Sequence, residues 1–336
     1  MLVTGPAIRA LAAGSRSVTV LAGPDGAAAA ALLPGVDDVL EYCAPWIRAD
    51  PEPLDRGRLG RLAGEVAGRG FDQAVIFTSF HQSALPTALV LRWAGVRRIS
   101  AISVDFGGSL LDVRHQVPED IPETERALSL AAAAGFEAPA ADDRLPAVRR
   151  SELPDLGALG PPVDAVAGEP YVVVHPGCSA PARSWPAARW AEAVGELTAA
   201  GRRVVVTGSP AERALTARVA GPDGLDLGGR TALPELAAVL AGARAVVVAN
   251  TGPAHLAGAV RTPVVSLFAP VVPAVRWAPR GSEVVLLGDQ NAACAGSRAR
   301  HCPVPGHPCL TGTTAADVVA AVEKLTGPAS LTGAGA

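Results

Sequence analysis

Residues 245–260, AVVVANTGPAHLAGAV, constrain the fold more than any other stretch of this chain. The continuous apolar, β-branched run at 245–248 reads as a strand buried on both faces of a parallel sheet. A tight turn at 249–252 follows, and a helix opens at Pro253. Thr251 stands where it can cap that helix, Gly252 where unusual dihedrals are allowed, and Pro253 suits the first helical turn. The free N–H groups and dipole of such a helix start form an anion site, best suited to phosphate. A plain strand-to-helix turn would leave a similar trace, but here small polar residues and His255 crowd one helix start.

On either side of that stretch the pattern alternates. In the first half the spacing predicts helices over 6–12, 27–33, 54–67, 84–93 and 123–134, with strands over 18–21, 39–42, 74–77 and 98–102. Leu54, Leu59, Leu62 and Val66 supply the apolar face of the third helix. A proline-rich passage begins near Asp142 and carries Pro146, Pro154, Pro161 and Pro162. The alternation then resumes, with strands at 171–174, 203–206, 245–248, 264–268 and 284–287 and helices at 187–200, 211–219, 234–241 and 315–325. This predicts an α/β protein of two Rossmann-like, doubly wound domains with an interdomain cleft. The N-terminal domain is expected at 1–155, a linker at 156–170, the C-terminal domain at 171–326 and a frayed tail at 327–336.

Composition narrows the functional classes. A chain of 336 residues, 49% hydrophobic but 4% aromatic, can build two cores, packed by Ala, Val and Leu. A net charge of -3 speaks against a nucleic-acid binder. No run approaches the roughly 18 apolar residues of a membrane span, and MLVTGPAIRALAAG lacks the pattern of a secretion signal. Cys43 and Cys178 lie alone, while Cys294, Cys302 and Cys309 cluster with His301 and His307. Those spacings exceed the paired-cysteine spacing of zinc sites, so a thiol-rich loop is expected and no metal. With no disulfide framework, a cytoplasmic location is expected.

Ligands of doubly wound domains bind at the carboxyl ends of the strands. The polar groups of the second half gather there: HPGCSAPARSWP (175–186), TGSPAER (207–213), GGRT (228–231) and NTGPAH (250–255). Arg183 is a candidate for pairing with phosphate and Glu212 for holding ribose hydroxyls, against the plainer readings of a solvated cation and a first-turn helix acid. Trp185 and Trp190 are expected in the core. His81, in TSFHQS after a first-half strand, is a candidate acceptor contact.

HPGCSAPARSWPAARWAEAV, then GSPAER, then GGRTALPELAAVLAGARAVVVANTGPAHLAGAVRTPVVSLFAP resembles glycosyltransferase family 9, the ADP-heptose:lipopolysaccharide heptosyltransferase-like enzymes. The likeness covers the second half in order and spacing; GPAIRALAA, AVIFTS and 123–135 fit more loosely. It implies a GT-B fold and an inverting, metal-independent transfer from an ADP-heptose-like nucleotide sugar to a glycan or lipid-linked hydroxyl, without a cofactor. Peripheral membrane contact is a further expectation. By position, Arg183 stands where the family has a Lys on the donor phosphates, with Cys178 and Ser179 near them. Glu212 matches the ribose acid, Thr231 the nucleobase lining, and Thr251, Gly252 and His255 the D-T-G-x-x-H motif. The resemblance makes Arg183 and His255 the catalytic candidates.

Two departures stand out. Asn250 replaces the acid of that motif; an amide can still hydrogen-bond the sugar or its neighbours but carries no charge. The family's opening strand and Gly-Asp pair, whose Asp is the implied base, have no counterpart before GPAIRALAA. The first domain is therefore expected to lack its first strand, with a true start upstream of Met1. Asp105 is the remaining acid near a first-domain strand end, though a surface loop acid is its plainer reading. The competing functions are a nucleotide-sugar epimerase and a catalytically impaired nucleotide-sugar-binding protein.

Overall fold

The computed structural model of the chain describes residues 1–48, 50–79 and 82–328; His81 and residues 329–336 of the tail lie outside them. Two compact units form, Met1–Leu145 and Pro146–Ala336. The change of unit precedes the boundary expected at 155. Residues 156–166 fold with unit 2 as two single 3-10 turns, because Val163 and Val166 are buried there.

Unit 2 is the more regular. Its elements are β6 (Val172–His175), α6 (Ala187–Ala199), β7 (Val204–Val206), α7 (Arg213–Ala220), β8 (Leu225–Asp226), α8 (Leu233–Gly242), β9 (Ala245–Ala249), α9 (Gly252–Ala259), β10 (Val264–Leu267), α10 (Ala274–Trp277), β11 (Val284–Leu287), α11 (Pro308–Thr311) and α12 (Ala315–Thr326). The six strands form one parallel sheet in the order β11-β10-β9-β6-β7-β8. Every residue of β6, β7, β9 and β10 is buried, as suits strands covered on both faces; β7 and β9 are apolar throughout, while β6 and β10 each bury one polar residue, His175 and Ser266. Trp185 and Trp190 meet edge-on at 5.2 Å within this core, as expected. Cys294 and Cys309 are buried in it and Cys302 packs against it. Among the described residues no three His, Cys, Asp or Glu side chains converge as metal ligands.

Unit 1 contains α1 (Gly5–Ala13), β1 (Thr19–Ala22), α2 (Pro24–Ala31), β2 (Asp38–Glu41), α3 (Arg56–Arg69), β3 (Gln73–Ile76), α4 (Leu85–Trp93), β4 (Arg98–Ile102), β5 (Val113–His115) and α5 (Glu123–Ala133). Its strands form two parallel ribbons, β1-β2 and β3-β4-β5. Leu21 of β1 packs on the cluster that holds Ile76 of β3 and Ala101 of β4, so the ribbons share a core. Among the described residues no ladder joins β1 to β3. Both strands are half-buried for most of their length, unlike the inner strands of unit 2.

Some sequence expectations need correction. Leu54 lies outside α3 and is 56% exposed, because Asp55 caps the helix by accepting from the Arg58 amide. The short elements β5, β8, α10 and α11 were not expected; each has two to four residues, too few for a period to show.

Candidate functional site

The winding of the unit 2 sheet reverses between β6 and β9. The chain runs outward from β6 through β7 to β8, then crosses back to β9 and continues through β10 to β11. Loops leaving the two central strands part in opposite directions and open a crevice at their carboxyl ends. His175 pairs in register with Val248, so the loops of β6 and β9 begin side by side.

His175 was expected in the first loop, but it closes β6 and is buried. Its Nδ1 lies 2.9 Å from the Thr207 hydroxyl at the head of the second loop. Burial pushes its pKa down to about 4, against the opposing pull of Glu212. Two residues on, Gly177 has a structural reason to be glycine. A Cβ there would lie 2.5 Å from Oε2 of Glu212.

Glu212 sits in a single 3-10 turn, Pro210–Glu212, where a regular helix from 211 was expected. Its Oε2 accepts from the Ser209 amide at 2.7 Å and the Ser209 hydroxyl at 2.8 Å, closing a capping box. Ser209 is the functional-loop residue the motifs do not single out, although Ser-x-x-Glu is the sequence signature of that box. Arg213 Nη2 donates to the Gly229 carbonyl at 3.0 Å and so ties the second loop to the third. Gly229 has φ +63 and packs against Pro210, where a Cβ would come within 2.7 Å of the proline Cα. Thr231 follows this junction, half-buried, just ahead of Ala232 at the N-cap of α8.

Arg183 ends the 3-10 turn Pro181–Arg183, and its Nη1 donates to the Asn250 carbonyl at 2.8 Å. This bond spans the switch point and holds the β6 and β9 loops together. The Asn250 side chain is buried and engaged by the fold rather than turned to a sugar. Its Nδ2 donates to the Ala269 carbonyl at 3.3 Å, and its Oδ1 accepts from the Ala269 amide at 3.4 Å. A carboxylate could accept from that amide but could not donate to that carbonyl. Cys178 donates to Ala180 O at 3.4 Å within its own loop, and Ser179 is exposed beside it.

The start of α9 differs from the expected cap. Thr251 occupies the N-cap in extended conformation, but its side chain does not cap; the hydroxyl donates to Ala249 O at 3.3 Å instead. Gly252 has no left-handed φ; it begins the helix, ahead of Pro253, and a Cβ on it would meet nothing within 4 Å. Pro253 has no N–H and the Ala254 amide donates to Thr251 O at 3.1 Å, so the helix start presents the exposed Gly252 amide, with Arg183 held beside it at Asn250.

His255 lies one turn into α9 and meets the ring of Trp277 at 6.4 Å and 61°. The residue keeps some surface, but its ring is enclosed. Burial, together with the positive charge of Arg183, lowers its pKa to about 4. It is therefore a neutral imidazole at pH 7, able to donate one N–H. Trp277, on the unexpected α10, carried no readable signal. In unit 1, Asp105 is exposed in the loop after β4, and its carbonyl accepts from the Ser103 hydroxyl at 3.0 Å. No helix among the described residues is long and apolar enough to cross a membrane.

Comparison with known proteins gives this crevice its family. The chain is 39% identical over 128 residues to lipopolysaccharide heptosyltransferase 1 of Pseudomonas aeruginosa, covering 38% of this chain and 36% of that one. It is 32% identical over 175 residues to lipopolysaccharide heptosyltransferase 3 of Escherichia coli, 49% of each chain. These alignments span from about a third to a half of the curated relatives' length. The fold matches that of E. coli ADP-heptose lipopolysaccharide heptosyltransferase II with a TM-score of 0.70 at 19% identity, over 97% of this chain and 95% of that one. It also matches a family 9 glycosyltransferase from Veillonella parvula, with a TM-score of 0.75 at 14% identity, over 97% and 93%. These are GT-B folds. The model of glycosyltransferase family 9 (heptosyltransferase) matches residues 60–307, and the chain belongs to that family.

Proposed function

We propose that this protein transfers a heptose or related sugar from a nucleoside-diphosphate sugar to a hydroxyl of a glycan or lipid-linked acceptor, with inversion and without a metal. The observation that carries this reading is the uncapped start of α9 at the β6/β9 switch point, with Arg183 fastened beside it. An open helix start next to a fixed cation suits a diphosphate better than a neutral ligand.

In the proposed reaction the acceptor oxygen attacks the anomeric carbon, the bond from that carbon to the diphosphate breaks, and the acceptor proton leaves to a base. Negative charge grows on the departing diphosphate. The Gly252 amide at the start of α9, the helix dipole, the Arg183 guanidinium and one N–H of neutral His255 stabilise it, most strongly in the transition state. Arg183 supplies the positive charge that a metal would otherwise bring. Cys178 and Ser179 line the phosphates, Glu212 faces the ribose and Thr231 the base. The carboxylates of Glu212, in the second loop, and Asp226, at the end of β8, each accept from local backbone amides, of Ser209 and Gly228.

Thermal unfolding with nucleosides, nucleoside diphosphates and nucleotide sugars tests the reading, since a ligand of the folded state raises stability by mass action. One nucleoside diphosphate should stabilise strongly and its nucleoside weakly. Equal stabilisation by both would show that the diphosphate is not gripped and would sink the assignment. Product anomeric configuration by NMR, and turnover in the presence of a chelator, decide inversion and metal independence.

A further inference from the structure

Asn250 leaves β9 where D-T-G-x-x-H would place an acid, and it is 5% exposed. Its side chain meets the segment beyond β10, where the sheet ladder has ended and backbone groups need other partners. There Ala269 is fully buried. Asn250 serves both of its backbone groups at once, Nδ2 donating to the carbonyl at 3.3 Å and Oδ1 accepting from the amide at 3.4 Å. Doing both takes a donor and an acceptor side by side, which an amide has and a carboxylate lacks.

The segment so gripped is held from elsewhere as well. Phe268 O accepts from Gln290 Nε2 at 2.8 Å, Pro270 O from the Gly296 amide at 2.8 Å and Val271 O from the Arg298 amide at 2.7 Å. Residues 268–271 are all buried. The Asn250 side chain is thus moored to a wall that other bonds already fix. The main chain of the same residue carries the carbonyl that receives Arg183 Nη1 at 2.8 Å. One residue therefore ties the guanidinium, from the β6 loop, to the loop that leaves β10.

We propose that Asn250 is a positioning residue: its amide, clasped to Ala269, fixes the carbonyl that holds Arg183 beside the α9 start, and an ionised acid in its place would undo that hold. The task given to Arg183 rests on the donor reading above; the clasp does not. An aspartate would set an oxygen against the Ala269 carbonyl where Nδ2 now donates, two acceptors with no proton between them in a buried place that screens them little. A protonated aspartic acid would present O–H and C=O where the amide has N–H and C=O, and both bonds would return. Burial favours that protonated form, while Arg183 on the main-chain carbonyl opposes it. His255, one turn into α9, stays neutral above about pH 4, so its charge is constant through the test range.

Thermal unfolding of the full chain without ligand tests the clasp. Asn250→Ala should lower Tm by roughly 4–8 °C, the scale of two lost hydrogen bonds in a unit of this size. Asn250→Asp should lose at least as much at pH 8.5, and its deficit against the parent should shrink as pH falls to 5.5. Arg183→Ala combined with Asn250→Ala should lose less than the sum, because the two share one anchor. Repeating the melts with ADP reads the positioning: Asn250→Ala should weaken ADP binding roughly tenfold, a coupling of ordinary size for residues in one network. The Asn250→Asp loss of ADP affinity should recover at pH 5.5. A pH-independent Asn250→Asp deficit, or unchanged ADP affinity in Asn250→Ala beside a parent that ADP stabilises, overturns this inference alone. A parent that ADP does not stabilise sinks the donor reading and the positioning role with it, whatever the ligand-free melts show of the clasp.

Discussion

Replacing Arg183 by alanine separates the two jobs of its guanidinium. The first is a single charged hydrogen bond to Asn250 O at 2.8 Å, on a half-buried side chain. Its loss should cost the fold about 1 kcal/mol, and for a unit of this size that lowers Tm by roughly 2–4 °C. The second is attraction for a diphosphate. A unit charge about 5 Å away in a medium of effective dielectric about 20 gives about 3 kcal/mol. Partial exposure trims this to about 2.3 kcal/mol, or roughly fifty-fold in affinity. At ADP one hundred times the parent Kd, mass action stabilises the parent by about 2.7 kcal/mol. The variant at the same concentration should gain only about 0.7 kcal/mol. Turnover should fall on the order of a hundred- to a thousand-fold, the scale of removing one preorganised electrostatic group. Arg183→Lys restores a point charge without the fork, so it should recover most of the ADP stabilisation. Thermal unfolding with and without ADP reads the affinity, and initial rates read kcat and KM. Equal ADP stabilisation of parent and Arg183→Ala would refute the reasoning, leaving Arg183 a strut between two loops.

Further outcomes follow from the same geometry. Gly177→Ala should displace the Glu212 carboxylate from its Ser209 bonds and cost about 1–2 kcal/mol; combining it with Glu212→Ala should cost less than the sum, and strict additivity in Tm would disprove the clash. His255 and His175 both titrate near 4 when folded, well below the usual histidine value, so the unfolded chain binds more protons between about pH 6.5 and pH 4. Stability should be full above pH 6.5 and fall across that window. His255→Gln should flatten the fall by up to one proton, and a pH-independent denaturation midpoint would contradict it. Trp190→Ala should lose about 3–5 kcal/mol, because the ring is fully buried and stacked edge-on with Trp185; a change under 1 kcal/mol would mean the core refills.

What could be read from residues alone followed local physics. Val172–Val174, Val204–Val206 and Ala245–Ala249 announced inner parallel strands because unbroken apolar runs survive only where both faces are covered. Pro253 marked the first turn of α9, and the four loops of the candidate site followed once the strands were placed. Two-residue β8 and four-residue α10 stayed hidden because nothing repeats over so short a length.

The tertiary structure decided how polar side chains are used, since partners distant in sequence set that. Asn250 could have met a sugar; its amide instead clasps Ala269, nineteen residues on. Thr251 could have capped α9 with its side chain, yet its hydroxyl turns back to Ala249 and its backbone carbonyl takes the Ala254 amide. His175 could have been a loop ligand, but pairing with β9 drew it into the strand and against Thr207. The outer face of α4 is the same case in reverse. Leu89 and Trp93 look like core residues in a string of letters, and only the packing of the opposite face inward leaves them exposed. Backbone preference and hydrophobic period are properties of neighbours in sequence, whereas burial and hydrogen-bond choice belong to neighbours in space.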